Sequence, residues 1–118
     1  MDRLENILGF CVSQRDSITR TLSLLGLPEK DPTRTMLEAR VDAYSYVVNL
    51  VLFHLDSGME LPEMEQGVRA DLVNEHRRVG SFCSLGTEAI LANMSAYEYF
   101  SSMESIYLDI IDELESKS

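Results

Sequence analysis

The sequence has no tryptophan and only two cysteines, three prolines and ten basic residues among its 118 positions. With so few prolines and six glycines, long stretches are free of helix breakers. Twenty acidic residues leave a net charge of -10. Affinity for nucleic acid and for anionic membranes depends on lysine and arginine. We therefore expect no direct binding to nucleic acid and none to a membrane.

The length and the proportions of residue types are those of one globular unit. Hydrophobic residues make up 45% and charged residues 25% of the chain, which is ordinary for a folded protein. A chain of this length is long enough to bury a core and short enough to form one domain. We predict a single domain over residues 1–118.

Three features bear on location. The first residues contain no basic segment leading into an apolar one, so we expect no signal peptide. The most apolar run, Ala43–Leu55, is shorter than the roughly 20 residues of a membrane span. Cys11 and Cys83 lie among apolar residues at helical spacing, which favours free thiols over a disulfide. Together these features predict a cytoplasmic protein.

The spacing of apolar residues predicts helices along most of the chain. They recur at intervals of three and four over residues 2–25, and Gly26 provides a helix end. Asp31 followed by Pro32 is typical of a helix start, which predicts a second helix over residues 32–55. The second half of that helix is apolar on nearly every side, so we place it at the centre of the bundle.

Two further helical segments follow. Pro62 begins a third helix that we predict over residues 62–85. Residues 87–116 keep helical spacing without glycine or proline, as one helix or as two broken near residues 93–96. We predict an all-α, single-domain antiparallel bundle of four or five helices.

One segment carries a possible chemical motif. In His76–Gly86 the histidine is followed by glycine four positions later, then by serine, and by a second glycine at ten. This segment resembles the motif of histidine phosphotransfer domains, which are helical bundles of similar size. The resemblance implies that His76 carries a phosphoryl group and that Gly80 lets a response regulator approach. The family usually has lysine three residues after the histidine, and Val79 stands there in this chain.

His76 also has a structural interpretation. Residues three and four apart share one face of a helix, so Leu72, His76 and Val79 point the same way. That face is apolar, which favours a partly buried histidine bound to a neighbouring carbonyl or carboxylate. We prefer this interpretation and keep phosphotransfer as the alternative.

Other catalytic and ligand-binding patterns are missing from the sequence. It has no His-Glu-x-x-His, no Cys-x-x-Cys, no calcium-loop spacing, no phosphate loop and no nucleophile elbow. His54 lies near the end of the second helix, where a histidine interacts favourably with the helix dipole. We predict that the protein is not an enzyme and has no cofactor and no metal site.

Three tyrosines are candidates for partner binding. Successive helical residues are about 100° apart, so Tyr99 diverges from the apolar face of its helix, and Tyr44 and Tyr46 diverge from each other. Exposed tyrosines among acidic residues are typical of a protein interface. The alternative is that all three lie along helix seams with only their hydroxyls in water.

Acidic residues are unevenly distributed. Residues 56–65 contain four carboxylates and no cation, and residues 88–115 contain seven and none. Glu60, Glu63 and Glu65 in the first run are therefore candidates for contact with a basic partner surface, which an acidic side attracts over a distance. The alternative is a solvated surface that keeps the protein soluble.

The interpretation that we favour is a small acidic regulator that binds another protein, with a basic surface, and inhibits or sequesters it. An antiactivator, an immunity protein or a phage-type inhibitor has this character. One alternative is a histidine phosphotransfer carrier that uses His76. The other is a helical homo-oligomeric structural subunit, for which a homodimer is the simplest form.

Overall fold

The computed structural model describes residues 2–84 and 86–115, which form five helices and no strand. The helices are α1 (Arg3–Leu25), α2 (Pro32–Leu55), α3 (Leu61–Cys83), α4 (Thr87–Ala92) and α5 (Met94–Glu115). The predicted all-α bundle of four or five helices is confirmed. The predicted helix ends at residues 85 and 116 lie outside the described residues.

Capping side chains set the helix boundaries. The Asp2 carboxylate accepts the backbone N–H of Glu5 at 2.8 Å, and the Asp31 carboxylate accepts that of Thr33 at 2.8 Å. Each satisfies an N–H that has no partner inside its helix. Gly26 ends α1 in the left-handed conformation, with φ of 56°, which glycine adopts without strain. The predicted start of α2 and the predicted end of α1 are confirmed.

The last helical segment is divided at Asn93. This residue leaves the helical conformation with φ of −145° and ψ of 66°, so that α4 ends before it and α5 begins after it. Its side-chain oxygen accepts the backbone N–H of Ala96 at 3.3 Å, which helps to start α5. The break lies within the predicted range of residues 93–96.

The helix α2 is the centre of the bundle, as its composition predicted. It packs against α1, α3 and α5, and α5 packs against α3 on its other side. Consecutive helices in the series α1, α2, α3 and α5 are antiparallel, and α2 and α5 are therefore parallel. The contacts that show these directions are Phe10 with Tyr44, His54 with Asp71, Arg69 with Glu115, and Tyr46 with Tyr107.

The core follows from this arrangement. Val47 and Val51 of α2 are fully buried and Val48 is 5% exposed, as expected for the apolar half of a central helix. Tyr107 of α5 is the largest fully buried side chain. None of the helices that the structure describes has the length and the hydropathy needed to cross a membrane.

A histidine holds α2 against α3. His54 Nε2 lies 2.8 Å from Asp71 Oδ2, so the last turn of α2 is bound to α3 in addition to any interaction with the helix dipole. The ring lies directly over Gly67. A Cβ atom added there would lie 2.6 Å from His54 Cε1 and 2.8 Å from Nδ1. Glycine at position 67 therefore makes room for the histidine ring.

We expect Gly67→Ala to lower the free energy of unfolding by about 1–3 kcal/mol, the usual range for an overpacked contact. The new methyl group displaces the His54 ring and disturbs its hydrogen bond to Asp71. Urea denaturation followed by circular dichroism measures the change.

Gly9→Ala is the matched control, because an added Cβ at this exposed position in α1 has nothing within 4 Å. It should raise the free energy of unfolding by about 0.5–1 kcal/mol. In a His54→Ala background, Gly67→Ala should behave like Gly9→Ala. If the two alanine variants are equally stabilising with His54 present, the ring does not require glycine.

Candidate protein-binding surface

Four helix ends meet at one end of the bundle. The Arg3 guanidinium at the start of α1 donates to the Leu114 carbonyl of α5 at 2.9 Å. Arg69 Nε of α3 donates to Glu115 Oε1 of α5 at 3.0 Å. The His54–Asp71 contact brings the end of α2 to the same place. The start of α1, the end of α2, the start of α3 and the end of α5 are therefore neighbours.

This end of the bundle is rich in carboxylates, and we call it the acidic end. Its segments are residues 2–5, 54–56, 60–71 and 109–115. They carry eleven carboxylates: Asp2, Glu5, Asp56, Glu60, Glu63, Glu65, Asp71, Asp109, Asp112, Glu113 and Glu115. On the same segments the arginines and lysines are Arg3 and Arg69, both bound to α5. The acidic end is therefore strongly negative.

The three candidate glutamates lie within the acidic end. Glu60 and Glu63 are exposed at the start of α3, and Glu65 is partly buried. The sequence showed two separate acidic runs without showing that they meet. The end of the second run approaches the first because α3 and α5 are antiparallel, and Glu115 binds Arg69, which lies one helical turn after Glu65.

A groove opens between α1 and α5. Both helices pack on α2, but they do not pack closely against each other. The opening has a volume of about 370 Å³ and is lined by Asn6, Ile7, Phe10, Asp109, Ile110 and Glu113. We call it the α1–α5 groove. Ile7 and Ile110 form a buried apolar floor, and Phe10 is 50% exposed beside them.

Sequence reasoning missed Phe10. The apolar face of α1 includes Leu4, Ile7 and Cys11, all buried, and Phe10 lies about 100° away from Cys11 around the helix. A large aromatic residue off the main apolar face was the signal that could have found it. Its ring meets Tyr44 edge-on, with ring centroids 6.1 Å apart, so the exposed ring is held in place.

Of the two alternatives left open for Tyr44, exposure at an interface is not found. Tyr44 is 7% exposed, because α1 covers it and Phe10 packs on its ring. Tyr46 is partly buried and meets Tyr107 edge-on, with ring centroids 5.6 Å apart. Both residues fit the helix-seam alternative. Burial raises the pKa of each hydroxyl above its usual range, so both stay neutral at physiological pH.

Tyr99 also lies in a seam. Its hydroxyl donates to the Asp42 carboxylate on α2, and its ring meets Phe100 edge-on. Burial, followed by this hydrogen bond, raises the pKa of Tyr99. Tyr99 therefore joins α5 to α2 rather than standing free in water as an anchor.

Replacing Tyr99 and Tyr107 in turn with phenylalanine compares a hydroxyl group that has a hydrogen-bond partner with one that has none among the described residues. Tyr99→Phe removes the bond to Asp42 and should lower the free energy of unfolding by about 1 kcal/mol. The Tyr107 hydroxyl is buried without a hydrogen-bond partner among the described residues. Tyr107→Phe should therefore leave stability unchanged or raise it by about 1 kcal/mol.

Chemical denaturation of both variants at neutral pH checks this difference, and each phenylalanine keeps the ring packing constant. A Tyr107→Phe variant that is less stable than Tyr99→Phe would show that the Tyr107 hydroxyl has a partner.

The Nε2 atom of His76 faces α5, although 28% of the side chain is exposed. Leu72 and Val79 on the same face of α3 are fully buried. His76 Nε2 lies 3.6 Å from Glu104 Oε1, and that nitrogen is buried with no hydrogen-bond partner among the described residues. A Cβ on Gly80 would lie 3.6 Å from Glu104 Oε2. Glu104 therefore occupies the side from which a phosphotransfer partner would approach.

This geometry does not favour phosphotransfer. A phosphoacceptor nitrogen must reach water and the partner's phosphoryl group, whereas Nε2 is enclosed. A carboxylate beside it would repel the negative phosphoryl group, at a site where the family usually has lysine nearby and this chain has Val79. The interpretation of His76 as a partly buried structural residue fits these contacts better.

The cysteines do not form a reactive site. Cys11 and Cys83 are free thiols. Burial raises the pKa of Cys11 to about 12, and burial with a hydrogen bond to Glu104 raises the pKa of Cys83 to about 11. Both thiols therefore stay protonated, and the thiolate is the nucleophile. Over residues 2–84 and 86–115, no three His, Cys, Asp or Glu side chains are grouped as metal ligands.

Comparison with protein-family models, with curated proteins and with solved structures gives no match to this chain. The functional argument therefore depends on the charges, contacts and exposure of its own residues. Among these, the acidic end and the α1–α5 groove beside it stand out.

Proposed function

We propose that this protein is a small cytoplasmic regulator that binds a protein partner with a basic surface and inhibits or sequesters it. The observation that carries the proposal is the gathering of eleven carboxylates at one end of the bundle, next to an open apolar groove. The acidic end supplies attraction, and the groove supplies apolar contact area.

Each feature has a separate physical role in such binding. Exposed carboxylates attract a basic partner over several ångströms and speed the encounter. Binding strength then depends on a few apolar or aromatic anchors surrounded by polar groups. Phe10, half exposed in a groove that Asp109 and Glu113 also line, has the position of such an anchor.

The same charges oppose self-association through this surface. Two copies that met at their acidic ends would bring carboxylates against carboxylates, which is unfavourable. A partner of opposite charge removes that repulsion. This supports a different protein, rather than a second copy, as the bound molecule.

Affinity capture with the full chain from host cells, followed by mass spectrometry, identifies the partner, and binding kinetics then test the proposal. We expect the association rate to fall as salt rises, because ions screen exposed charges within about 10 Å at 0.1 M. Changing Glu60, Glu63 and Glu65 to lysine should lower the association rate about tenfold or more. The dissociation rate should change much less.

A matched control changes Asp16, Glu29 and Glu88 to lysine. These exposed residues lie outside the acidic end, and their reversal alters the net charge by the same amount. We expect a smaller effect on association. Equal effects of the two triple variants, or association that is indifferent to salt, would contradict the role of the acidic end. Concentration-dependent dimers without any captured partner would favour a helical structural subunit.

A further inference from the structure

The geometry points to the form of the partner's binding element: the α1–α5 groove seats a basic amphipathic α-helix. Apolar side chains on one face of that helix enter the groove, and lysine or arginine side chains beside them meet the carboxylates of α5. This inference rests on the proposed function and specifies what the partner presents.

A helix fits this groove better than an extended peptide. An extended peptide gains affinity by pairing its backbone with a sheet edge. The part of the chain described here has no strand, and the backbone groups within α1 and α5 are paired inside their own helices. Binding must therefore come from side chains. A seam between two antiparallel helices accepts a third helix, as in other helix-in-groove complexes.

The floor of the groove suits apolar side chains at helical spacing. Ile7 and Phe10 are three residues apart on α1, and Ile110 faces them from α5. The volume of about 370 Å³ is near the lower limit of small-molecule sites, which span about 300–1,000 Å³. The groove is partly open to solvent, as the half-exposed Phe10 shows, so side chains projecting from a helix can enter it.

The rim of the groove selects the charge of the incoming helix. Asp109 and Glu113 are four residues apart on α5, which places them about 6 Å apart along the helix axis. Cations three or four residues apart on a second helix have the same spacing. On the α1 side the corresponding rim residue is the neutral Asn6. The basic flank of the bound helix should therefore lie toward α5.

The described residues that line the groove include no arginine or lysine. Arg3 donates to the Leu114 carbonyl, and Arg40 lies on α2 near Tyr44, where its charge opposes the rise in pKa that burial causes. Neither residue lines the groove. A second copy of this chain would bring its own acidic residues to the rim, whereas a basic helix complements it.

A defined probe tests the inference. It is a fluorescently labelled peptide of about 18 residues, or five helical turns, with leucine at intervals of three and four and lysine elsewhere. One control peptide has the same composition with the leucines scattered around the helix. Another keeps the leucine face and replaces lysine with glutamate. We expect the scattered peptide to bind about tenfold more weakly and the glutamate peptide not to bind, as measured by fluorescence anisotropy.

Two phenylalanine variants locate the apolar contact. Phe10→Ser should weaken binding of the leucine–lysine peptide about thirtyfold, the effect of removing an interface anchor. Phe53→Ser is the control, since Phe53 is 71% exposed but does not line the groove. It should change affinity less than about twofold. Thermal melts of both variants show whether loss of the Phe10–Tyr44 contact affects folding.

Two charge variants test the groove without changing Phe10, whose replacement can affect folding. Asp109→Lys with Glu113→Lys alters the groove, and Glu60→Lys with Glu63→Lys changes the net charge equally at the start of α3. We expect the groove pair to raise the dissociation rate of the peptide about tenfold, and the α3 pair to slow association only.

The groove assignment would be overturned if the scattered peptide bound as tightly as the peptide with its leucines on one face. Equal effects of the two charge pairs on the dissociation rate would overturn it as well. The proposed function would still stand if the captured partner depended on Glu60, Glu63 and Glu65. If binding of the captured partner does not depend on these three glutamates, the proposed function is itself contradicted. If the protein forms dimers and Phe10→Ser abolishes them, the groove binds a second copy of the chain and the inference is overturned.

Discussion

The structure depends on the burial of α2. Its second half is apolar on nearly every side, and burying each large apolar side chain is worth about 1.5–3 kcal/mol, so the helix is stable only when others surround it. The helices α1, α3 and α5 provide that cover. The parallel pairing of α2 with α5 places Tyr107 and the valines of α2 in one core. The remaining features follow from this central position.

One consequence is the acidic end. Surrounding α2 with helices that alternate in direction brings the end of α5 beside the starts of α1 and α3. The like charges gathered there repel one another, which opposes folding. Arg69, paired with Glu115, offsets part of this repulsion, although an exposed ion pair contributes only about 0–1 kcal/mol. A concentration of charge that the fold does not need for stability is consistent with a role in binding.

The other consequence is the α1–α5 groove. With three helices already packed on α2, α1 and α5 remain apart, and no described helix fills the space between them. The Phe10 ring therefore has the core on one side and water on the other. Asp109 and Glu113 lie at the same opening, so apolar and acidic groups are presented together. Neither group alone would specify both the shape and the charge of a bound helix.

Much of the fold could be predicted from the sequence because local interactions determine it. Asp31 and Gly26 act through backbone groups a few residues away, and Asn93 breaks the last segment where the sequence allowed a break. Apolar spacing alone identified α2 as the central helix. The candidate site was harder to predict from the sequence. The acidic runs, including Glu60 and Glu63, could be read from the sequence, but their position near the end of α5 could not.

What the sequence by itself determined is therefore the extent and inner face of the helices, apart from whether the last segment is divided, since each depends on neighbours within about one helical turn. The tertiary structure decided which of the remaining side chains are exposed. Tyr44 shares the buried face of α2 with Val47 and Val48 and is covered by α1. Tyr99 diverges from the apolar face of its own helix and is nevertheless partly buried, with a hydrogen bond to Asp42 on α2. Phe10 diverges in the same way and stays half exposed, because the space beside it contains no helix. Exposure depends on residues distant in sequence, and only packing brings those together.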